Sequence, residues 1–234
     1  MMLRSLIFVA LFYAWSALLA IGMLPLFLCP RRWTLAAFGF WSRGVILMLR
    51  MFCGIRVEVR GRQWMPTGRA LVAAKHQCMF DVFGQFAWLP DSSFVMRKEL
   101  MRIPLFGWYA TKARMVVVDR EGGAQALRNL VRDATDRLTE DRQLVIFPEG
   151  TRVEPGKTGR YQPGIAGLYR ELGLPVHPMA TNSGVHWPAH GFVRKPGTIV
   201  FEYLEPIPAG LTRAEFMRRL ETRIETASNA LLGL

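Results

Sequence analysis

The chain has 234 residues, 51% of them hydrophobic, and 30 Lys and Arg against 18 Asp and Glu give it a formal net charge of +12. This length suffices for one sizeable core with an appended element. A basic, apolar chain without zinc-finger spacing or an RNA-recognition signature favours an anionic membrane surface over nucleic acid as its partner. The three cysteines, Cys29, Cys53 and Cys78, fit neither a disulfide framework nor a metal site, which favours a reducing, cytosol-facing domain.

The first predicted element is an apolar stretch, residues 5–29, that contains no charged residue. A helix of that length would extend about 38 Å, longer than the hydrocarbon core of a bilayer. Pro25 would kink or end it, so the segment either spans the bilayer or dips in and returns. Arg4 lies before it and Arg31 and Arg32 after it, a small excess of positive charge that favours a cytoplasmic C-terminal side. A cleaved signal peptide is the competing interpretation, disfavoured because no small-x-small cleavage site precedes the charges.

A second apolar stretch, residues 33–53, is interrupted by Arg43 and Arg50. These charges argue against a second lipid-exposed span and favour an interfacial helix whose arginines lie at headgroup level. We therefore expect residues 1–53 to form a membrane-anchoring helical pair and residues 54–234 to form the catalytic domain. The expected location is the inner (cytoplasmic) membrane, with the catalytic domain facing the cytosol.

From residue 55 the pattern changes to short apolar runs typical of strands. Residues 55–60 alternate apolar and charged, as in a half-exposed edge strand. Further strands are predicted at 70–74, 94–96, 115–118, 143–147, 176–181 and 198–204. A helix is predicted over 82–89, ending before Pro90. Strands interleaved with helices indicate an α/β domain with its function at the carboxyl ends of the strands.

Two further helices have clear signatures. An amphipathic helix is predicted from Leu127 to Leu138, where apolar residues recur at helical spacing. The last helix begins with a capping box, Thr212 as N-cap and Glu215 three residues on. Its predicted apolar face consists of Met217, Leu220, Ile224, Ala227 and Leu231.

The first chemical motif follows the strand at 70–74: His76 leaves the strand, and Asp81 follows five residues later. A neutral imidazole can take a proton near pH 7, and a carboxylate can fix its tautomer. Residues five apart in a regular helix sit roughly 140° apart, so they would not face each other. The pair therefore requires His76 in the turn and Asp81 in the first helical turn after it.

The second motif, residues 147–152, reads Phe-Pro-Glu-Gly-Thr-Arg after a predicted buried strand. Gly150 allows a close backbone approach to a ligand, and Arg152 offers a planar fork to a phosphate. Glu149, being anionic, is expected to orient Arg152 or to accept a glycerol hydroxyl. A solvated turn is the alternative interpretation of this segment.

Together the H-x4-D and F-P-E-G-T-R motifs, at about this separation, resemble the glycerolipid acyltransferase superfamily, in particular the 1-acylglycerol-3-phosphate acyltransferases. The resemblance covers roughly residues 55–210. It implies a mixed central sheet flanked by helices, and acyl transfer from a thioester of coenzyme A or acyl carrier protein to the sn-2 hydroxyl of 1-acylglycerol 3-phosphate, giving phosphatidate. His76 would be the general base, with Asp81 holding the imidazole. No metal or prosthetic group is implied, because the thioester supplies the leaving group.

The same resemblance assigns acceptor binding to Arg120 in a second block and to Glu149, Gly150, Thr151 and Arg152 in the third. The alternative for Arg120 is a surface ion pair with the aspartate that precedes it.

The sequence departs from the commonest family form, Asn-His-x-Ser, by having Lys75 and Cys78. The base and the carboxylate remain, so the chemistry is expected to be intact. A nucleophilic Cys78 activated by His76 is an alternative, and a small packing residue is the simpler interpretation of this cysteine.

Two other functions stay open at this point. The acceptor could be a different lysolipid, such as a lyso-aminolipid or lysophosphatidylcholine, or the chain could be an inactive lipid-binding homologue. An intact base and carboxylate argue against the second, because binding alone needs no base. A basic cluster is interpreted as a patch for anionic headgroups or acyl carrier protein, or as a solvated face: Arg97, Lys98, Arg102, Lys112 and Arg114.

Overall fold

The computed structural model describes residues 1–119 and 122–234, apart from the side chain of Ala124. The chain opens with α1 (Met2–Gly22) and α2 (Arg31–Met48), joined by a 3₁₀ turn, Leu24–Leu28, and followed by a π-helical turn, Leu49–Cys53. The strands are β1 (Ile55–Arg60), β2 (Ala70–Ala74), β3 (Ser92–Arg97), β4 (Val116–Val118), β5 (Gln143–Ile146), β6 (Val176–Thr181) and β7 (Gly197–Tyr203). The remaining helices are α3 (Phe80–Phe83), α4 (Phe106–Lys112), α5 (Gly123–Leu138), α6 (Pro163–Leu172), α7 (Ser183–His186) and α8 (Arg213–Ala230).

The strands form one mixed sheet in the order β1-β7-β6-β2-β5-β3-β4. Strands β6, β2, β5, β3 and β4 run parallel, β7 runs antiparallel to β6, and β1 pairs parallel with β7. The predicted α/β class with a mixed sheet is confirmed. The alternating strand β1 lies at an edge, as its pattern predicts.

The centre of the sheet positions the two motifs. Every residue of β2 and β5 is buried, which explains their continuous apolar character. The two strands pair parallel, with Ala70 opposite Gln143. Because the carboxyl ends of parallel strands lie at the same edge, the segments that follow β2 and β5 meet there.

One of two hydrophobic cores includes the N-terminal helices. Phe8 and Phe12 of α1 and Val45 of α2 are buried together with Val72 and Phe94 of the sheet. The other core lies under α5, α6 and α8. The inner faces of α1 and α2 therefore pack on the α/β domain, and the boundary at residue 54 remains a prediction.

Helices α1 and α2 are long and apolar enough to cross a membrane, by length and composition. Only 17% of the most apolar window of α1 is buried and 33% of that of the second helical segment, so most of their apolar surface is uncovered. The α-helix of the first stretch ends at Gly22, and Pro25 lies in the following 3₁₀ turn. Two neighbouring helices with uncovered apolar residues favour membrane association.

Helix α5 forms where an amphipathic helix was predicted, whereas the helix predicted at 82–89 forms only in part. In α5, Leu130, Ala134 and Leu138 are buried as expected. The predicted helix at 82–89 is instead the short α3 continued by a 3₁₀ turn, Gly84–Ala87. Helices α4 and α6 were not predicted.

The C-terminal helix α8 begins as the capping box predicts, with the Thr212 hydroxyl accepting a hydrogen bond from the Glu215 amide at 3.3 Å. Its buried face is offset from the prediction, because Phe216 is buried whereas Met217 is only partly covered. Phe216 stacks on Tyr169 of α6 at a centroid distance of 3.8 Å, and that contact sets the face.

Candidate active site

The histidine and the aspartate of the first motif are in contact. His76 Nδ1 lies 3.2 Å from Asp81 Oδ2. His76 is in the turn after β2 and Asp81 is in α3, the arrangement that the five-residue spacing requires. The same carboxylate oxygen accepts the amides of Gln77 at 2.6 Å and Cys78 at 2.7 Å. The two amide donors on one buried oxygen fix the orientation of the carboxylate.

The hydrogen bond to Asp81 defines the histidine tautomer. An ionised carboxylate only accepts, so Nδ1 carries the proton and Nε2 retains a lone pair. The imidazole stacks on the Phe147 ring at a centroid distance of 4.3 Å, and its side chain keeps 15% exposure. His76 is therefore held on two sides, with Nε2 available as a proton acceptor.

Cys78 is a poor candidate for a nucleophile. Its side chain is fully buried, and its Sγ lies 3.7 Å from Asp81 Oδ1. Burial, followed by the charge of Asp81, raises the pKa of the Cys78 thiol well above its ordinary value. A buried thiol with a raised pKa is inert, so the packing interpretation is the better one.

The second motif forms a tight turn that is joined to the first. The Gly150 amide donates to the Phe147 carbonyl at 2.9 Å, and Gly150 has φ +67°, a conformation that favours glycine. Downstream, the Val153 amide donates to the His76 carbonyl at 2.8 Å. The turn that carries the predicted acceptor site is thus tied to the backbone of the predicted base.

Glu149 points into the protein. It is 2% exposed, and its Oε1 accepts from the Lys75 ammonium at 2.7 Å and from the Gly159 amide at 3.2 Å. Its Oε2 accepts from the His76 amide at 3.3 Å. These bonds occupy both oxygens with partners from this chain, so the geometry favours a supporting role over contact with Arg152 or a glycerol hydroxyl. Burial, the largest effect, raises the pKa of the Glu149 carboxyl.

Lys75 is 1% exposed and has a second carboxylate partner that sequence reasoning missed. Its ammonium lies 2.8 Å from both oxygens of Glu225 on α8 and 3.0 Å from the Lys157 carbonyl. The Tyr161 hydroxyl also donates to Glu225, at 2.9 Å. Glu225 sits on a helix face whose other buried members are mostly apolar, the one signal that could have indicated a buried partner.

The remaining predicted residues lie at the surface of the same turn. Thr151 and Arg152 are exposed, and Arg152 Nη1 donates to the Ala189 carbonyl at 3.3 Å. The planar group of Arg152 is therefore accessible to solvent, and the neighbouring Val153 amide ties its turn to the His76 carbonyl. The predicted acceptor residue Arg120 lies outside the described residues.

The predicted basic cluster is largely engaged within the chain. Lys98 pairs with Asp119, and Lys112 donates to the Phe27 carbonyl at 3.0 Å. Arg114 pairs with Asp136 of α5 at 2.7 Å and with Glu140, two residues after the end of α5. These pairs favour the interpretation as a solvated face.

Comparisons with known proteins show the family to which the chain belongs. A family model described as Acyltransferase matches residues 56–182. The 1-acyl-sn-glycerol-3-phosphate acyltransferase of Pseudomonas aeruginosa is 34% identical over 182 residues, 76% of this chain and 71% of that protein. The protein of that name from Cocos nucifera is 26% identical over 162 residues, 68% of this chain and 52% of its own length. This chain thus spans about half the length of that plant relative.

Among solved structures, the crystal structure of the 1-acyl-sn-glycerophosphate (LPA) acyltransferase PlsC from Thermotoga maritima superposes with a TM-score of 0.81 at 22% identity. The match covers 99% of this chain and 98% of that one, and it shows the fold. The family model and the Pseudomonas relative show that the chain is an enzyme that transfers acyl groups. Because the family model covers more than half of its length, the chain belongs to the acyltransferase family.

Proposed function

We propose that the chain transfers an acyl group from an acyl thioester to the sn-2 hydroxyl of 1-acylglycerol 3-phosphate, giving phosphatidate. The observation that carries this proposal is the 3.2 Å contact between His76 and Asp81, in a turn that is hydrogen-bonded to the turn bearing the exposed Arg152. The names of the Pseudomonas and Cocos relatives support this acceptor.

His76 acts as the general base. An alcohol is a weak nucleophile at neutral pH, so a positioned base is required to take its proton as it attacks. The Nε2 lone pair takes that proton, the hydroxyl oxygen bonds to the thioester carbonyl carbon, and the carbon–sulfur bond breaks. The imidazolium then returns the proton to the departing thiolate. Asp81 stabilises the imidazolium without becoming protonated, and the buried Cys78 takes no part.

Arg152 and its turn hold the acceptor. A guanidinium binds a phosphate through two parallel charge-assisted bonds, and Arg152 is exposed at the same edge as His76. Thr151, also exposed, offers a hydroxyl, and Gly150 keeps the backbone open to the ligand. The reaction needs no metal or prosthetic group, because the thioester activates the acyl carbon.

The N-terminal helices attach the enzyme to one leaflet with the catalytic domain in the cytosol. Both ends of α1 are tied to the α/β domain: Ser5 Oγ accepts the Arg194 amide at 2.9 Å, and the Ala20 carbonyl accepts the Tyr109 hydroxyl at 2.9 Å. Arg31, at the start of α2, pairs with Asp91 at 2.7 Å. A helix that spans the bilayer would be surrounded by lipid, whereas the α/β domain packs along α1 and α2. These contacts fit a helical pair that lies in the plane of the membrane better than one that crosses it.

A panel of acceptors tests the reaction. Wild-type protein in detergent receives a labelled acyl thioester, of coenzyme A or of acyl carrier protein, and one of three acceptors. We expect transfer to 1-acylglycerol 3-phosphate and much slower transfer to lysophosphatidylcholine and to monoacylglycerol, which lacks the phosphate. Equal transfer to monoacylglycerol would contradict the phosphate role, and transfer to lysophosphatidylcholine alone would reassign the acceptor.

A further inference from the structure

The buried lysine beside the catalytic histidine joins four parts of the chain. Lysine is almost never fully buried unless it is paired, because an uncompensated ammonium loses its hydration. Here the Lys75 ammonium contacts Glu149 at 2.7 Å, Glu225 at 2.8 Å and the Lys157 carbonyl at 3.0 Å. The end of β2, the turn after β5, the segment at 157–161 and helix α8 therefore converge on one cation.

The carboxylates of this cluster link Lys75 to the residues proposed to react. Glu149 accepts the backbone amide of His76 and belongs to the turn that presents Arg152. Glu225 is also held by the Tyr161 hydroxyl at 2.9 Å and by Thr158 at 3.4 Å. Helix α8 is thereby coupled to the His76 backbone, although the two are far apart in sequence.

The geometry points to Glu225 and Lys75 as positioning residues that hold the base and the acceptor turn in their reactive arrangement. Helix α8 then contributes to catalysis through Glu225 alone, which acts on the base through Lys75 and Glu149 and not by contact with a reacting atom. The inference rests on the proposed function. It applies to this chain because Lys75 stands where the commonest form of the superfamily has asparagine, a neutral residue that would not require a carboxylate on α8.

The charges of the cluster predict a hierarchy among variants. One ammonium faces two carboxylates, so Glu225→Gln leaves a balanced Lys75–Glu149 pair, whereas Lys75→Met leaves two buried carboxylates without a cation. Lys75→Asn combined with Glu225→Gln restores the net charge of the wild-type cluster with neutral hydrogen-bonding groups. We therefore expect Lys75→Met to be the most damaging variant and the double variant to recover part of the loss caused by Lys75→Asn.

The test compares Glu225→Gln with Glu221→Gln, an exposed glutamate one turn earlier on α8. The kcat and KM for 1-acylglycerol 3-phosphate are measured well below the melting temperature. A displaced base lowers turnover without removing the phosphate site, so we expect Glu225→Gln to lower kcat about tenfold with KM within about twofold, and Lys75→Met to lower kcat about a hundredfold. Glu221→Gln is expected to match wild type.

A second readout needs no substrate. Amide hydrogen exchange is followed in peptides covering residues 72–83 and 147–153, where we expect faster exchange in Glu225→Gln than in Glu221→Gln. If Glu225→Gln matches Glu221→Gln in both kcat and exchange, or lowers only the melting temperature, the positioning role is wrong. If wild type fails to use 1-acylglycerol 3-phosphate, the proposed function fails, and the exchange comparison still decides this inference. If Lys75→Met does not fold, Glu225→Gln carries the test.

Discussion

Two buried cations lie at opposite ends of the paired strands β2 and β5. Arg142, fully buried, comes just before β5 at the amino edge of the sheet, and Lys75, 1% exposed, comes just after β2 at the carboxyl edge. Arg142 donates mainly to carbonyls, those of Ala113 at 2.9 Å and Ser92 at 3.2 Å, with Asp91 at 2.9 Å as a carboxylate partner. Lys75 instead hydrogen-bonds two carboxylates directly, whereas the second carboxylate near Arg142, that of Glu140, lies 3.9 Å away.

The difference in partners indicates a difference in role. Burial lowers the pKa of Arg142 to about 10, so Arg142 remains a cation at neutral pH. It ties together the segments at which β3, β4 and β5 begin, at the amino edge of the sheet. Lys75 ties together the segments that carry the proposed base and the proposed phosphate-binding turn. We therefore expect one buried cation to stabilise the fold and the other to position the reacting groups.

The largest effect is expected from Asp81→Asn at the carboxyl edge. The amide oxygen can take the place of Oδ2 and accept from the two backbone amides and from His76 Nδ1, but a neutral amide cannot stabilise an imidazolium. We expect kcat to decrease about a thousandfold with little change in the unfolding free energy. Steady-state kinetics beside urea unfolding checks this, and a variant that keeps more than a tenth of wild-type kcat would contradict the assigned role.

The next prediction exchanges the two cations for methionine. Lys75→Met is expected to lower kcat about a hundredfold, because the base and the turn lose their common anchor. Arg142→Met is expected to lower the unfolding free energy by about 3 kcal/mol, because it leaves buried carbonyls without donors, while kcat stays within about twofold. Urea unfolding and steady-state kinetics on both variants show whether Lys75→Met mainly lowers kcat and Arg142→Met mainly lowers the unfolding free energy. Equal losses of activity would remove the distinction between the edges.

Arg152→Ala tests the acceptor side of the carboxyl edge. Losing a charge-assisted phosphate contact is expected to raise the apparent KM for 1-acylglycerol 3-phosphate about tenfold. The exposed Arg160, in the same part of the chain, provides a control as Arg160→Ala. A pure kcat loss at Arg152→Ala with unchanged KM would count against the phosphate role.

The smallest effect concerns pH. The pKa of Glu149, which faces Lys75, Glu225 and the His76 amide, is raised from 4.5 in the folded protein, mainly by burial. The folded state therefore retains this proton above pH 4.5, and its stabilising contribution is lost as the pH rises through the folded pKa. Relative to Glu149→Gln, wild type should lose stability as the pH increases from 4.5 towards neutrality, by at most about 1.4 kcal/mol per pH unit. Parallel curves for the two proteins would show that the carboxyl is not perturbed.

The sequence predicted those parts of this architecture that have local signals. The buried strands β2 and β5 read as short apolar runs, and the α8 cap reads as Thr212 with Glu215, because strand burial and capping depend on residues close in sequence. Helix α6 was not predicted, although Ile165, Leu168 and Leu172 have helical spacing. Its first two residues are a proline and a glycine, a pair that is typical of turns as well as of helix starts.

The contact between His76 and Asp81 was predictable from the sequence, whereas the direction of the Glu149 side chain was not. The spacing of His76 and Asp81 demanded the turn-then-helix arrangement that the structure has. The inward orientation of Glu149 was not predictable, because it depends on Lys75 and on Glu225, which lies 150 residues from Lys75 in sequence. No local pattern specifies a pairing over that distance.

Single-turnover transfer from a labelled acyl thioester to 1-acylglycerol 3-phosphate tests the central claim most directly. Wild type, His76→Ala and the control His177→Ala are compared; the His177 ring bonds the Trp64 carbonyl at 2.8 Å. We expect transfer by wild type and by His177→Ala. In His76→Ala we expect transfer to be slower by at least about a hundredfold, with acceptor binding retained. Transfer by His76→Ala at the wild-type rate would contradict the role of His76 as the general base.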